Sequence, residues 1–99
     1  MLISGGHKVH PQAVESCLAT CPGIRDVAVT GLPDPAWGDL VVALVVGEAT
    51  SQGFAEWCRD RLPGAAQPRR IIRLASLPRS AAGKLERAVL RRLAREAHP

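Results

Sequence analysis

Asp26-Val27-Ala28-Val29-Thr30-Gly31-Leu32-Pro33-Asp34-Pro35-Ala36-Trp37-Gly38-Asp39-Leu40-Val41-Val42-Ala43-Leu44-Val45-Val46 is the stretch that decides the fold. Its two ends are rich in β-branched residues and its middle in turn formers. Residues Asp26–Thr30 predict a strand with Val27 and Val29 on one face, because strand side chains alternate with a period of two. Leu40–Val46 is apolar at every position, which predicts a central strand covered on both sides. Pro33 and Pro35 lack the amide hydrogen that a ladder needs, so the first strand is expected to break there. The short connection through Trp37-Gly38 implies antiparallel pairing.

N-terminal to this pair, Leu2-Ile3-Ser4-Gly5-Gly6-His7-Lys8-Val9 predicts a short hairpin with its turn at Ser4-Gly5-Gly6. Pro11 suits the first turn of a helix. Val14, Cys17, Leu18 and Cys21 recur at helical spacing, and Pro22-Gly23 ends the helix. On the C-terminal side, Ser51 is placed to cap a second helix that buries Phe54, Trp57, Cys58 and Leu62 and stops at Pro63-Gly64. Residues 70–74 read as a third strand, and 77–83 as a flexible loop. A last helix runs from about Leu85 to Ala97, burying Leu85, Val89 and Leu93 beside an exposed ladder of Arg87, Arg91 and Arg95. The predicted class is α+β: a small, mainly antiparallel sheet of about three strands with helices packed on it, preceded by the short N-terminal hairpin.

The 99 residues make one domain, and a content of 46% hydrophobic and 22% charged residues is that of an ordinary soluble globular domain. The apolar runs are too short to predict a membrane span. A net charge of +4 is compatible with an anionic partner. Aromatic residues are 3% with no Tyr, which weighs against a module that stacks single-stranded bases. Three cysteines (Cys17, Cys21 and Cys58) and no recognisable signal peptide suggest a reducing, cytoplasmic setting.

Four constellations carry chemistry. In Pro78-Arg79-Ser80-Ala81-Ala82-Gly83-Lys84, a Gly-hinged loop delivers one compact cation to where negative charge develops on a phosphate or carboxylate. By itself this is also the pattern of an ordinary surface lysine, and it lacks the spacing of a Walker loop. Ser4-Gly5-Gly6-His7-Lys8 offers a backbone that a ligand can approach closely, or simply a tight turn. His7, His10, Cys17 and Cys21 are metal-type donors. The two cysteines, however, share an apolar face with Val14 and Leu18, where Cys packs as a small hydrophobe, so no metal site is expected. The basic last helix is either a phosphate-tracking surface or a solvated face with cations near its C-terminus.

Taken together and in order, these segments resemble a known family. Ile3-Ser4-Gly5-Gly6-(x2)-Val9-(x)-Pro11-(x2)-Val14-Glu15, then Val27-Ala28-Val29-(x)-Gly31-(x)-Pro33-Asp34-(x2)-Trp37-Gly38, then Leu77-Pro78-Arg79-(x3)-Gly83-Lys84-(x2)-Arg87 look like successive signatures of the C-terminal domain of the adenylate-forming enzymes. These include acyl-CoA synthetases, adenylation domains of nonribosomal peptide synthetases, and luciferases. The resemblance implies an AMP-forming acid–thiol ligase. A carboxylic acid attacks the α-phosphate of ATP, and a thiol, usually that of coenzyme A, then displaces AMP. It implies Lys84 as the catalytic residue of the first step, with Pro78, Arg79, Gly83 and Arg87 supporting its loop. It implies that Ser4, Gly5, Gly6, His7 and Lys8 line the path of coenzyme A in the second. ATP and Mg²⁺ would be held mainly by a larger N-terminal domain preceding Met1, together with a hinge. The chain would then be the mobile part of a longer enzyme and inactive alone, with no nucleic-acid or membrane partner. Its compactness over residues 47–70 resembles the o-succinylbenzoate–CoA ligases of menaquinone synthesis. The rival reading is a stand-alone basic module binding nucleic acid or an acidic protein.

Overall fold

The computed structural model describes residues 1–97. In chain order they form β1 (Leu2–Ser4), β2 (His7–Val9), α1 (Pro11–Leu18), β3 (Ile24–Asp34), β4 (Gly38–Gly47), α2 (Ser51–Arg61), a 3-10 turn at Gly64–Ala66, β5 (Arg70–Arg73) and α3 (Arg87–Ala97).

β3 and β4 make one long antiparallel hairpin, paired from Asp26↔Val46 to Asp34↔Gly38. The expected break at the prolines is therefore wrong: Pro33 sits inside the ladder, opposite Asp39. The reason lies in the strand order β2-β1-β4-β3. β3 is an edge strand, and a proline there directs its missing donor away from the ladder. Pro35 alone falls in the turn. That turn is closed by Asp34, whose Oδ2 accepts hydrogen bonds from the amides of Ala36 (3.0 Å) and Trp37 (2.7 Å).

The described residues form a sheet of five strands rather than three, and the class remains α+β. The N-terminal hairpin does not merely precede the sheet: β1 joins β4 through Ser4↔Gly38. β5 joins β4 in parallel, from Val42↔Arg70 to Val45↔Arg73, after α2 has carried the chain across. β4 is the central strand that its unbroken apolar run predicts, with Val41–Val46 all buried. Its alternate side chains feed two cores. On one face Val41, Ala43 and Val45, with Val27 and Val29, pack against Val14, Leu18, Phe54 and Cys58 of α1 and α2. On the other, Val42, Leu44 and Val46, with Ala28 and Leu32, pack against Leu77 and against Leu90 and Ala94 of α3.

The helices differ from expectation in detail. Thr50, not Ser51, caps α2, its hydroxyl accepting from the Gly53 amide at 3.0 Å. α1 ends at Leu18, and Cys21 is buried from the turn that follows. α3 begins at Arg87, and its fully buried residues are Leu90 and Ala94. Leu85 and Leu93 flank that contact, half-buried. The buried stripe thus lies one position beyond the predicted Leu85, Val89 and Leu93, all three of which are half-buried.

Burial in the first core pushes the Cys58 thiol up to about 11. A raised thiol pKa favours the neutral form in the folded state, so the stability it contributes is complete below the ordinary thiol value. It is lost as pH rises through the folded value. Urea unfolding is expected to show stability falling by about 2 kcal/mol between about pH 9 and pH 11, and Cys58→Ala should flatten that fall.

Candidate active site

The Lys84 loop is a closed hairpin rather than the flexible loop expected. Ser80 donates its amide to the Lys84 carbonyl at 2.8 Å, and Gly83 donates to the Ser80 carbonyl at 2.9 Å. Below them the Glu86 amide donates to Pro78 at 3.0 Å. Ala81-Ala82-Gly83 is thus a three-residue loop, which ends in a left-handed residue, and Gly83 supplies it with φ +83°. Lys84 is exposed, and among the described residues no hydrogen bond or ion pair engages its ammonium. The polar geometry of the loop is taken up by Arg79. Its Nε and Nη2 donate to the two carboxylate oxygens of Asp26 at 3.1 and 2.7 Å, and its Nη1 donates to the Gly83 carbonyl at 2.7 Å. The hydrogen bonds to Asp26 raise the Arg79 pKa further.

Arg87, expected on an exposed ladder, is turned inward. It is the first residue of α3 and makes a bidentate pair with Glu15 of α1, Nη1–Oε2 2.5 Å and Nη2–Oε1 3.0 Å. Nη1 also reaches the Val29 carbonyl at 3.3 Å, while the Val29 amide donates to Glu15 at 2.7 Å. The ion pair thereby satisfies the outward amide and carbonyl of Val29 on the open edge of β3. Arg91 and Arg95 keep the exposed positions, on a groove of about 650 Å³ that also touches Met1, His10 and Pro33.

The Ser4–Lys8 segment is a two-residue hairpin: Ser4 pairs with His7, and Gly5 and Gly6 both have positive φ, +55° and +82°, as a type I′ turn requires. Gly5 lies against Trp37. Its amide donates to the Trp37 carbonyl at 2.9 Å, and a Cβ there would come within 2.8 Å of the indole. The Arg69 guanidinium stands over the same ring at 4.8 Å. Ser4 is fully buried, and its hydroxyl has no partner among the described residues. What this hairpin presents to solvent is therefore Gly5, Gly6, His7 and Lys8. His7 and His10 are exposed whereas Cys21 is buried.

The two sets of candidate residues are not brought together. The Lys84 hairpin is fastened to Asp26 at one end of β3, and the glycine hairpin to Trp37 just past the other end. Eight strand residues separate these points, roughly 26 Å at about 3.3 Å per residue. Sequence reading gave Asp26 and Glu15 no role as the partners of Arg79 and Arg87. The signal for each was an acidic side chain next in sequence to a core valine, Val27 for Asp26 and Val14 for Glu15. Nor did that reading pair Trp37 with Arg69.

The matching family model is that of the AMP-binding enzyme C-terminal domain, over residues 13–84. The chain belongs to this family. It is 40% identical over 94 residues to a long-chain-fatty-acid–CoA ligase of Mycobacterium tuberculosis, covering 92% of this chain and 19% of that one. It is 35% identical over 98 residues to a 2-succinylbenzoate–CoA ligase of Bacillus cereus, covering 97% and 20%. Its fold matches the structure of a fatty acyl CoA synthetase from Mycobacterium tuberculosis with a TM-score of 0.92 and 37% identity, over 100% of this chain and 20% of that one. This AMP-binding C-terminal domain thus spans about a fifth of the length of the relatives it matches.

Within it, Arg87→Ala strips a mostly buried Glu15 carboxylate of its cation. Full burial would make that cost several kcal/mol. With Arg87 half-exposed, about 2 kcal/mol is expected by denaturant unfolding, and Arg87→Ala with Glu15→Ala should cost less than the two changes summed.

Proposed function

We propose that this chain is the mobile C-terminal domain of an ATP-dependent acyl-CoA ligase and serves its two half-reactions with opposite ends of one β-hairpin. In the first, the acid's carboxylate oxygen bonds to the α-phosphorus of ATP as the bond to pyrophosphate breaks. Lys84 supplies positive charge to the oxygens on which negative charge builds. In the second, the thiol sulfur of coenzyme A bonds to the acyl carbon and AMP leaves. The side-chain-free Gly5-Gly6 turn, backed by Trp37, lets the thin pantetheine arm pass close to the backbone.

The observation that carries this reading is the separation of the two ends. Two turns anchored roughly 26 Å apart along one strand (about eight residues) do not serve one reaction centre at the same time. A domain that turns between the steps brings each end to that centre in its turn. ATP and Mg²⁺ belong to the larger domain in this scheme. Among the described residues no group of three or more His, Cys, Asp or Glu side chains could hold a metal ion, so no step here is assigned through one. Likewise, none of the described helices is long and apolar enough to cross a membrane. Among the described residues, the basic-module rival keeps Arg91 and Arg95 as the exposed cations of its ladder for which no ion pair is seen, since Arg87 is paired with Glu15. Arg92 lies 3.5 Å from Glu96.

The test is a pair of half-reactions in the full-length enzyme. Lys84→Ala is expected to slow acyl-adenylate formation by about three orders of magnitude. It should leave thioester formation from supplied acyl-adenylate within about twofold of wild type. Gly6→Val, whose Cβ meets no neighbour but strains a positive φ, should do the reverse. Equal loss of both half-reactions in Lys84→Ala would exclude the assigned roles.

A further inference from the structure

We propose that Asp26 is a positioning residue for adenylation: through Arg79 it sets where the Lys84 hairpin stands. The inference rests on the reading of Lys84 as the adenylation lysine.

Three observations converge on Asp26. The first is the three-point contact of Arg79. Two of its N–H groups are spent on the Asp26 carboxylate and a third on the carbonyl of Gly83, the residue just before Lys84. The planar guanidinium converts the direction of the Asp26 carboxylate into the position of the Gly83 peptide, as a lysine in its place would not. The second is how Asp26 itself is held. Its Oδ1 also accepts from the Val27 amide at 3.0 Å, which limits its rotation. The third is the strand beneath it. The β3–β4 register shifts between Ile24 and Asp26, a β-bulge. Without that extra residue Ile24 and Asp26 would share a face. With it, Ile24 packs into the core of α1 and α2, whereas Asp26 has the parity of Ala28 on the α3 side, where the Lys84 hairpin lies. Bulges re-aim single side chains, often beside active sites.

The pair is part-exposed, the side chains of Arg79 and Asp26 being 39% and 33% accessible, so its contribution to stability is modest. Its worth lies in geometry. Lys84 falls between two arginines anchored to the β3 edge, Arg79 on Asp26 and Arg87 on Glu15, so both flanks of the hairpin are registered to one strand. A displacement of about 1 Å at a reacting group costs about a hundredfold in rate, and that is the scale on which such a brace acts.

The experiment uses the full-length enzyme, with acetate, dodecanoate and benzoate as probe acids and the fastest of them carried forward. Adenylation is read by ATP–pyrophosphate exchange, and the second step by thioester formation from supplied acyl-adenylate. Asp26→Ala is expected to lower kcat for adenylation by about 10- to 100-fold, with KM for ATP and the thioester step each within about twofold of wild type. In a Lys84→Ala background Asp26→Ala should cause no further loss, because the brace acts only through that lysine. A purely structural role would lower both half-reactions and would add to Lys84→Ala; either result overturns the proposal. If Lys84→Ala abolishes adenylation while Asp26→Ala leaves it intact, the brace alone fails. If Lys84→Ala leaves adenylation intact, the Lys84 reading fails and takes the brace with it. Should Asp26→Ala not fold, Asp26→Asn and Arg79→Gln carry the same expectations in weaker form.

Discussion

The structure depends on one ion pair placed at the edge of the sheet. β3 has β4 on one side only, so every second residue turns its amide and carbonyl outward. At Val29 those two groups are taken by Glu15 and Arg87, which also bind one another. Glu15 comes from the helix on one face of the sheet and Arg87 from the helix on the other. A single bidentate contact therefore covers the open edge at Val29 and ties three layers together. An uncovered strand edge invites pairing with other chains, and a fork-shaped cation against a carboxylate is a strong way to cover it.

The same edge organises the candidate chemistry. Arg79 and Arg87 flank Lys84 in sequence, and both are fastened along β3, the one directly and the other through Glu15. The opposite end of the β3–β4 hairpin supports the glycine turn through Trp37. One element thus supports two unlike surfaces: an exposed ammonium, and a bare backbone backed by an aromatic ring under a guanidinium. Neither surface is enclosed, which is what a domain that completes another domain's active site would present.

Much of this was legible along the chain. Val27-Ala28-Val29 and Leu40–Val46 announce their strands because the period-two pattern is local. Gly5-Gly6 announces its turn because two adjacent positive φ values are cheap only for glycine. Three things were not. Pro33 looked like a breaker because edge or centre is a property of the whole sheet. The Lys84 segment looked loose because its brace is Asp26, separated by 53 residues from Arg79. Arg87 looked exposed because its partner Glu15 is 72 positions away.

By itself, then, the sequence determined the α+β class, the two-faced central strand and the identity of the candidate lysine and glycines. Each of these is written in residue types and spacings within one or two turns or strands. Only the tertiary structure decided which arginine is free and which is bound, where the prolines are tolerated, and that Lys84 and the glycine hairpin lie at opposite ends of β3 and β4. Those outcomes depend on which carboxylates the sheet edge brings within hydrogen-bonding distance of a guanidinium, and residues so far apart in sequence meet only after the two cores have packed.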